Sequence, residues 1–288
     1  MGSVLLVGDP EKVRTLNINC REVRGGPTLG SLLARMPHLI ELRLSGSPFL
    51  VALPEEISKL AATLELLDLS GSTRLPALPE ALGELASLRV LDLSGCDSLA
   101  TLPSTVGNLS ALQSLSISQS ERDTAGAAEK EKQKEDEQVG PNRRKTAQAT
   151  IEGQGIMSLP ESLCALGALR HLALGLPGVQ ALPDNLGSLG RLQTLCLNGC
   201  SKLAALPAST SQLASLDYLE LPSCPATIGL PDDAFTGLLA LNTLDLFGCA
   251  SLARVPLSIG SLASTLQALY IGSLDLASLP ETLCDLAR

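Results

Sequence analysis

Residues 91–103, LDLSGCDSLATLP, belong to a phrase that recurs along the chain with small changes. Close variants are LDLSGSTRLPALP at 67–79, LNGCSKLAALP at 197–207 and LFGCASLARVP at 246–256. Triplets of the form L-x-L or L-x-I begin at Leu16, Leu42, Leu67, Leu91, Leu115, Leu172, Leu195, Leu219, Leu244 and Leu269. Their spacing is 23 to 26 residues, except for one step of 57, and an L-P or V-P pair precedes most triplets by 13 or 14 residues. Because the triplet and the pair recur together with a nearly constant spacing, they indicate about ten structural repeats.

Each repeat predicts a strand, a loop and a short helix. Leu91 and Leu93 alternate with Asp92 and Ser94, which is the period of a strand with one buried face. Pro103 suits the first position of a helix, where its missing N–H costs nothing. Inward side chains are predicted at Cys96, Leu99, Leu102, Val106, Leu109 and Leu112. Acidic first-turn residues, which complement a helix dipole, are Glu80, Glu161, Asp184 and Glu281.

One such unit cannot bury its own leucines, but stacked neighbours can. The strands then form one parallel sheet, and because strands pack more closely than helices the stack curves with the strands inside. The predicted fold class is therefore α/β, a curved horseshoe with the sheet on the concave face and short helices and loops on the convex face. We expect residues 1–288 to form a single domain, interrupted by an insertion at about 121–154.

The pattern LxxLxLxxN/C, met by Leu88, Leu91, Leu93 and Cys96, resembles the leucine-rich repeat family everywhere except in the insertion. The variant LDLSGCxxLxxLPxxIGxL is similar to repeats of plant intracellular immune receptors, with related units in Ras-group-related repeat proteins and bacterial effectors. Residues 230–246, LPDDAFTGLLALNTLDL, resemble instead the extracellular animal type. The resemblance implies a solenoid that binds another protein.

Composition argues against several other classes. The formal charge of −9 disfavours nucleic-acid binding, and no apolar run has the length of a membrane span. The first residues lack the basic segment of a signal peptide. Eight cysteines without paired spacing indicate a reducing compartment, so we expect a cytoplasmic protein. No cofactor and no small-molecule substrate are expected.

The cysteines and histidines do not predict an enzyme. Five cysteines, Cys20, Cys96, Cys200, Cys224 and Cys249, fall at or near the loop position after a strand, where a small buried thiol is favoured over a redox pair or metal site. Cys164 and Cys284 are interpreted as packing residues of the helices, and Cys196 as an outward residue. His38 is predicted to lie at the surface. His171 and Cys196 are two positions out of line on neighbouring strands, roughly 8 Å apart, which is too far for a nucleophile and its base.

The insertion, about 121–154, mixes eight acidic and seven basic residues without an apolar stripe. This composition predicts disorder or a solvated helix. Within NRRKT, Thr146 resembles a site for a basophilic kinase, and the same run resembles a weak nuclear signal. The alternative interpretation is a tolerated surface loop without a role.

Outward strand positions supply the candidate binding residues. In the first five strands they are mostly small or acidic, whereas the last three strands carry three of the chain's five aromatic side chains. Large aromatic side chains are favoured as interface anchors. The alternative is that these rings only shield one another. The predicted partner-binding residues are Arg43, Asp68, Asp92, His171, Tyr218, Glu220, Asp245, Phe247 and Tyr270.

The expected function is non-catalytic: recognition or scaffolding by a module that binds a protein on its concave face. Two alternatives stay open. One is the repeat domain of a bacterial-type effector that delivers a separate catalytic domain, and the other is a structural subunit of a large assembly. The repeats do not identify the partner, the organism, the oligomeric state or whether the chain is part of a longer protein.

Overall fold

The computed structural model describes residues 9–18, 29–120, 155–221, 230–247, 249, 254–272 and 280–287. Ten parallel strands form one sheet whose spatial order follows the order of the chain. The strands are β1 Thr15–Asn17, β2 Glu41–Arg43, β3 Leu66–Asp68, β4 Val90–Ser94, β5 Ser114–Ser118, β6 His171–Gly175, β7 Thr194–Cys196, β8 Tyr218–Glu220, β9 Thr243–Phe247 and β10 Ala268–Gly272. The open, unclosed sheet confirms the predicted solenoid.

The inward leucines stack in columns that run across the sheet. Leu91 pairs with Leu67 on one side and Leu115 on the other, and all three are at most 1% exposed. Leu93, Leu109 and Leu195 are fully buried, as the repeat register predicts. Each leucine is covered by its equivalents in the neighbouring repeats, which explains why the sequence must supply the same side chain in every turn.

Short helices lie on the opposite, convex side. One α-helix, α1, spans Leu29–Leu33. The 3₁₀-helices in the described part of the chain are η1 Pro10–Lys12, η2 Glu55–Leu60, η3 Glu80–Glu84, η4 Ser104–Asn108, η5 Glu161–Ala165, η6 Leu186–Ser188, η7 Ala208–Gln212, η8 Leu257–Leu262 and η9 Glu281–Ala287. The prediction of a helix starting at Pro103 is one residue too early, because Pro103 is the N-cap of η4 in extended conformation. Bonds from Val106 N to Pro103 O and from Leu109 N to Val106 O are the i→i+3 type that returns the chain inward over few residues.

Carboxylates at the helix starts join one repeat to the next. Glu80 accepts hydrogen bonds from Ser104 N at 3.2 Å and Thr105 N at 3.1 Å, and Thr105 Oγ1 donates to Glu80 O at 2.7 Å. Glu161 accepts from Asp184 N at 3.2 Å. The prediction that Asp184 lies in a first helical turn is wrong, since η6 begins only at Leu186. Glu80 and Glu161 therefore act through direct hydrogen bonds to the next repeat.

The Ser-Gly-Cys segment of the recurring sequence, residues 94–96 in LDLSGCDSLATLP, forms the turn after the strand. Gly95 has φ +72°, a left-handed conformation that a side chain would strain. Cys96 then points inward, and its Sγ donates to Leu69 O of the preceding repeat at 3.3 Å. Cys200 and Cys249 make the equivalent bonds to Leu174 O and Leu221 O. The predicted buried thiols are confirmed at these three positions, whereas Cys20 and Cys224 lie outside the described residues.

The sheet continues across the insertion. β5 pairs directly with β6, although residues 121–154 separate them in sequence. Gln119 joins the two ends of this segment, because its Nε2 donates to Cys96 O and Leu99 O while its Oε1 accepts from Ile156 N at 2.8 Å. The insertion itself lies outside the described residues, and its predicted disorder stays a prediction.

The last repeat differs from the interior ones. In β10 the inward Leu269 and Ile271 are only partly buried, since no further strand covers them in the part of the chain that the structure describes. Cys284 in η9 is exposed, so its interpretation as a packing residue is wrong for the same reason, whereas Cys164 is 8% exposed as expected. His38 lies at the surface. No helix in the described ranges is long and apolar enough to cross a membrane.

Candidate partner-binding face

The nine predicted binding residues all lie on the outward face of the sheet, but they do not form one cluster. Arg43, Asp68 and Asp92 are register neighbours on β2, β3 and β4. Arg43 is already paired, since its Nη2 lies 3.1 Å from Glu41 Oε2. Asp68 Oδ1 accepts bonds from Ser70 N and Ser70 Oγ at 2.9 and 2.6 Å. Arg43 and Asp68 of this N-terminal group therefore already interact with polar residues two positions away in their own repeats.

The second group lies on the last three strands. Glu220 is the register neighbour of Asp245, and Asp245 that of Tyr270. Phe247 pairs with Gly272, and Tyr218 occupies the first outward position of β8. Phe247 is 64% and Tyr270 54% exposed, so the predicted outward direction of these rings is what the structure shows. We call Tyr218, Glu220, Asp245, Phe247 and Tyr270 the aromatic–acidic patch.

Small residues separate the two groups. A shallow hollow of about 180 Å³ lies over β4 to β7 and is lined by Ser94, Ser116, Ile117, Ser118, Ala173, Leu174, Gly175, Cys196 and Asn198. It exists because serine, alanine and glycine stand where other strands carry larger outward side chains. His171 lies at the first position of β6 and its Nδ1 is 3.1 Å from Thr194 Oγ1 of β7. His171 is therefore brought together with neither group.

The sheet places Cys196 beside Glu220. Burial, followed by the adjacent Glu220 carboxylate, raises the pKa of Cys196 to about 12. A thiol with such a pKa is protonated at neutral pH and is a poor nucleophile. His171 pairs with Thr194 and Cys196 with Ala173, so the two are diagonal neighbours as predicted from the spacing.

Burial also raises the pKa of Tyr218, and the Glu220 carboxylate contributes further. For both groups burial is the larger cause of the raised pKa, and the Glu220 carboxylate adds to it because it disfavours a second negative charge nearby. The tyrosine and the cysteine therefore remain neutral and polar, and the negative charge of the patch resides on its carboxylates.

Sequence reasoning missed several charged residues of this face. Asp217 precedes β8 and is exposed beside the aromatic–acidic patch. At the other end, Arg89 Nε lies 3.5 Å from Glu65 Oε2, both on residues that immediately precede a strand. The sequence carries a signal for these residues, since the residue before each strand also borders the concave face.

Two further sequence-based expectations concern modification and metals. Thr146, the candidate phosphorylation site, lies outside the described residues. Among the residues that are described, no group of three or more His, Cys, Asp or Glu side chains is arranged to hold a metal ion.

Comparison with known proteins agrees with the repeat architecture. Residues 87–109 match the family model described as Leucine Rich Repeat. No curated protein matches the chain in sequence. Among solved structures, the leucine-rich repeat domain of the type III effector XCV3220 (XopL) is similar with a TM-score of 0.64 and 26% identity, over 87% of this chain and 73% of that one.

Two more distant structures show the same fold. The ectodomain of the Arabidopsis thaliana receptor kinase GASSHO1/SCHENGEN3, in complex with CASPARIAN STRIP INTEGRITY FACTOR 2, has a TM-score of 0.55 and 21% identity over 88% of this chain and 27% of that one. The Drosophila Toll–Spatzle complex has a TM-score of 0.51 and 17% identity over 93% of this chain and 38% of that one. The ten-stranded parallel sheet, the matched repeat and these structures together show that the chain has a leucine-rich repeat solenoid fold.

Proposed function

We propose that the chain is a non-catalytic recognition or scaffold module that binds a protein partner on the concave face, at the aromatic–acidic patch. The observation that carries this proposal is the exposure of Phe247 and Tyr270, 64% and 54%, on a rigid sheet whose other outward side chains are mostly small. Exposed rings on a pre-organised surface are favoured interface anchors, because little conformational entropy is lost when they are covered. Two of the structures with this fold are complexes with a second protein, which is consistent with the proposal.

The N-terminal group is a weaker candidate for the contact. Arg43 is paired with Glu41, so its charge is already neutralised. Asp68 and Asp92 accept the same kind of backbone bond as Asp245, but their outward neighbours on β2 to β5 include no aromatic side chain. We place this group, and the isolated His171, at the margin of the proposed interface. A cytoplasmic location remains part of the proposal.

Affinity capture tests the function. The full chain, a Phe247→Ala/Tyr270→Ala double variant and a Leu257→Ala control would each be used to capture partners, which are identified by mass spectrometry. Leu257 is the matched control because it is also 54% exposed but lies in η8 on the convex side. We expect one protein to be retained by the wild type and the control and lost by the double variant.

Calorimetric titration with the captured protein then measures the contribution of each ring. Phe247→Ala and Tyr270→Ala should each weaken binding by more than about 1 kcal/mol without changing the thermal melt. Wild-type affinity in both variants would exclude the patch and direct attention to the insertion and the C-terminal end.

A second candidate function is favoured by the comparison with the effector domain. The similarity to the repeat domain of a type III effector, 26% identical over 87% of this chain, supports a role in which the repeats deliver an attached catalytic domain. The complete reading frame distinguishes the two. A catalytic domain encoded next to these repeats would favour the effector, and its absence would favour a recognition module.

A further inference from the structure

The aromatic–acidic patch differs in its charge pattern from the N-terminal strands of the sheet. The outward residues of β8, β9 and β10, together with the residue before each strand, include Asp217, Glu220 and Asp245 but no lysine or arginine. Within the described residues, none of these three carboxylates is paired with a basic side chain. On the N-terminal strands, by contrast, Glu41 and Glu65 are paired with Arg43 and Arg89. This end of the concave face therefore carries unneutralised negative charge.

Asp245 lies between the two exposed rings. Tyr270 is its register neighbour on β10, about 4.8 Å away by strand spacing, and Phe247 is two residues further along β9, about 7 Å by strand rise. The carboxylate is held in place, since its Oδ1 accepts a bond from Phe247 N at 2.8 Å. Within the described residues no donor reaches Oδ2, which is therefore open to an incoming group.

The Phe247 ring packs against the neighbouring strand, β10. It lies over Gly272 of the neighbouring strand, where an added Cβ would come within 2.5 Å of Phe247 Cδ2. The absence of a side chain at Gly272 therefore lets the ring rest on the backbone of β10, beside Asp245 and Tyr270. A carboxylate flanked by two rings offers an ion pair and stacking surfaces to the same ligand group.

We propose that this site binds an extended segment of the partner through an arginine whose guanidinium pairs with Asp245 and stacks on Phe247 and Tyr270. The guanidinium suits this geometry better than an ammonium, because it is planar, weakly hydrated and donates from a fixed fork. The ring faces attract a cation, and the rings shield the ion pair from water. Glu220, next in register to Asp245, adds negative potential that steers a basic segment to the site. This inference rests on the proposed function and adds the chemical class of the partner.

A random 12-residue peptide library displayed on phage and selected on the full chain provides the probe. We expect the selected pool to be enriched in arginine over the unselected library. Selected peptides are then synthesised with their arginine or with citrulline, which keeps the shape and removes the charge. Citrulline should weaken binding roughly tenfold, as expected for the loss of an ion pair that is also stacked.

Asp245→Asn locates the contact. The substitution removes the charge but keeps an oxygen that can accept the Phe247 amide. It should weaken the arginine peptide roughly tenfold and leave the citrulline peptide unaffected, because the two changes remove the same interaction. Glu84→Gln is the matched control: it removes one negative charge from an exposed residue of η3, on the convex side, and should change neither affinity.

The outcomes separate the two proposals. Selected peptides without arginine that are lost on Phe247→Ala would overturn the arginine inference and leave the binding face intact. Peptides that bind regardless of any concave substitution would overturn both. A selection that yields no peptide, or an Asp245→Asn effect of equal size on arginine and citrulline peptides, would overturn the inference alone, since affinity capture tests the function independently.

Discussion

At the scale of single residues, the same thiol group has different reactivity according to where the repeat places it. Burial raises the pKa of Cys96 and of Cys196 to about 12 and that of Cys164 to about 11, whereas Cys284 is exposed at the end of the stack. Only the thiolate reacts readily with alkylating agents. The described cysteines should therefore differ widely in alkylation rate.

Alkylation with iodoacetamide at pH 8, followed by peptide mass spectrometry, should modify Cys284 quickly and Cys196 very slowly in the native protein. Glu220→Gln should accelerate the reaction of Cys196, because removing the neighbouring charge lowers the pKa of the thiol. Because each modification is assigned to a peptide, alkylation of Cys20 and Cys224 is measured separately from that of Cys196 and Cys284. An unchanged Cys196 rate in Glu220→Gln would contradict the contribution of the Glu220 carboxylate to the raised pKa of this thiol.

Glu80 shows how a side chain links repeats in a pH-dependent way. Desolvation acts to raise its pKa, but the hydrogen bonds donated by Thr105 and Ser104 outweigh this and hold the pKa below the ordinary value of 4.5. A depressed folded-state pKa contributes stability that is present above the ordinary pKa and is lost as the pH falls through the folded-state value. The ionised carboxylate therefore joins η3 to η4 at any pH above its pKa, and this contribution is lost as the pH falls below it.

Glu80→Gln should lower the melting temperature at pH 7, and the difference from wild type should shrink as the pH falls below 4.5 and through the lowered pKa of Glu80. Thermal melts followed by far-UV circular dichroism across this range measure the effect. Glu84→Gln in the same helix, where the exposed side chain caps no neighbouring repeat, is the control. A difference that is independent of pH would show that shape, and not charge, matters at Glu80.

At the scale of elements, the same side chain contributes more to the stability of the fold in an interior strand than in a strand at the end of the sheet. Leu91 on β4 is 1% exposed between two neighbouring strands, whereas the equivalent Leu269 on β10 is only partly buried. The cost of truncating a leucine grows with the contacts and the cavity it leaves. Equivalent substitutions should therefore have unequal effects along the sheet.

Leu91→Ala should destabilise the protein by roughly 2–5 kcal/mol, and Leu269→Ala by clearly less, because solvent and side-chain relaxation reduce the cavity at the edge. Urea unfolding measured by circular dichroism gives both values on the same protein. Equal costs would mean that another element covers β10 in solution.

At the scale of the whole molecule, the solenoid tolerates a long insertion because its repeats contact only their neighbours. β5 and β6 keep their full pairing from Ser114–His171 to Ser118–Gly175 across residues 121–154. Gln119 brings the two ends of the segment together, and Ser120 N donates to Asp97 Oδ1 at 2.8 Å. The contacts that hold this junction therefore lie inside the repeats.

Replacing residues 121–154 by two glycines should change the melting temperature little, since the β5–β6 interface does not depend on them. Gln119→Ala should be more damaging, because it removes three hydrogen bonds at the junction. Differential scanning calorimetry compares the two variants. Collapse of the fold on deletion would show that the segment packs against the repeats.

The sequence by itself determined the repeats, the register and the inward or outward direction of most strand residues. The reason is that a strand alternates with period two and each repeat must supply the same inward plugs, so Leu91, Leu93, Leu109 and Leu195 are identified without coordinates. The outward direction of Phe247 and Tyr270 follows from the same alternation. The 3₁₀ type of the helix and its start after Pro103 do not follow from the repeat pattern, because they depend on how few residues remain to turn the chain inward.

Only the tertiary structure decided which outward residues are neighbours and which are already paired. Arg43 is neutralised by Glu41 on its own strand, whereas Asp245 has no basic partner among the described residues and lies beside Tyr270 and Phe247. The seat of Phe247 on Gly272 depends on the register of two strands that are 25 residues apart in sequence. Alternation gives each side chain a direction, but contacts across strands depend on the position and rotamer of every neighbour, and these are set by packing in three dimensions.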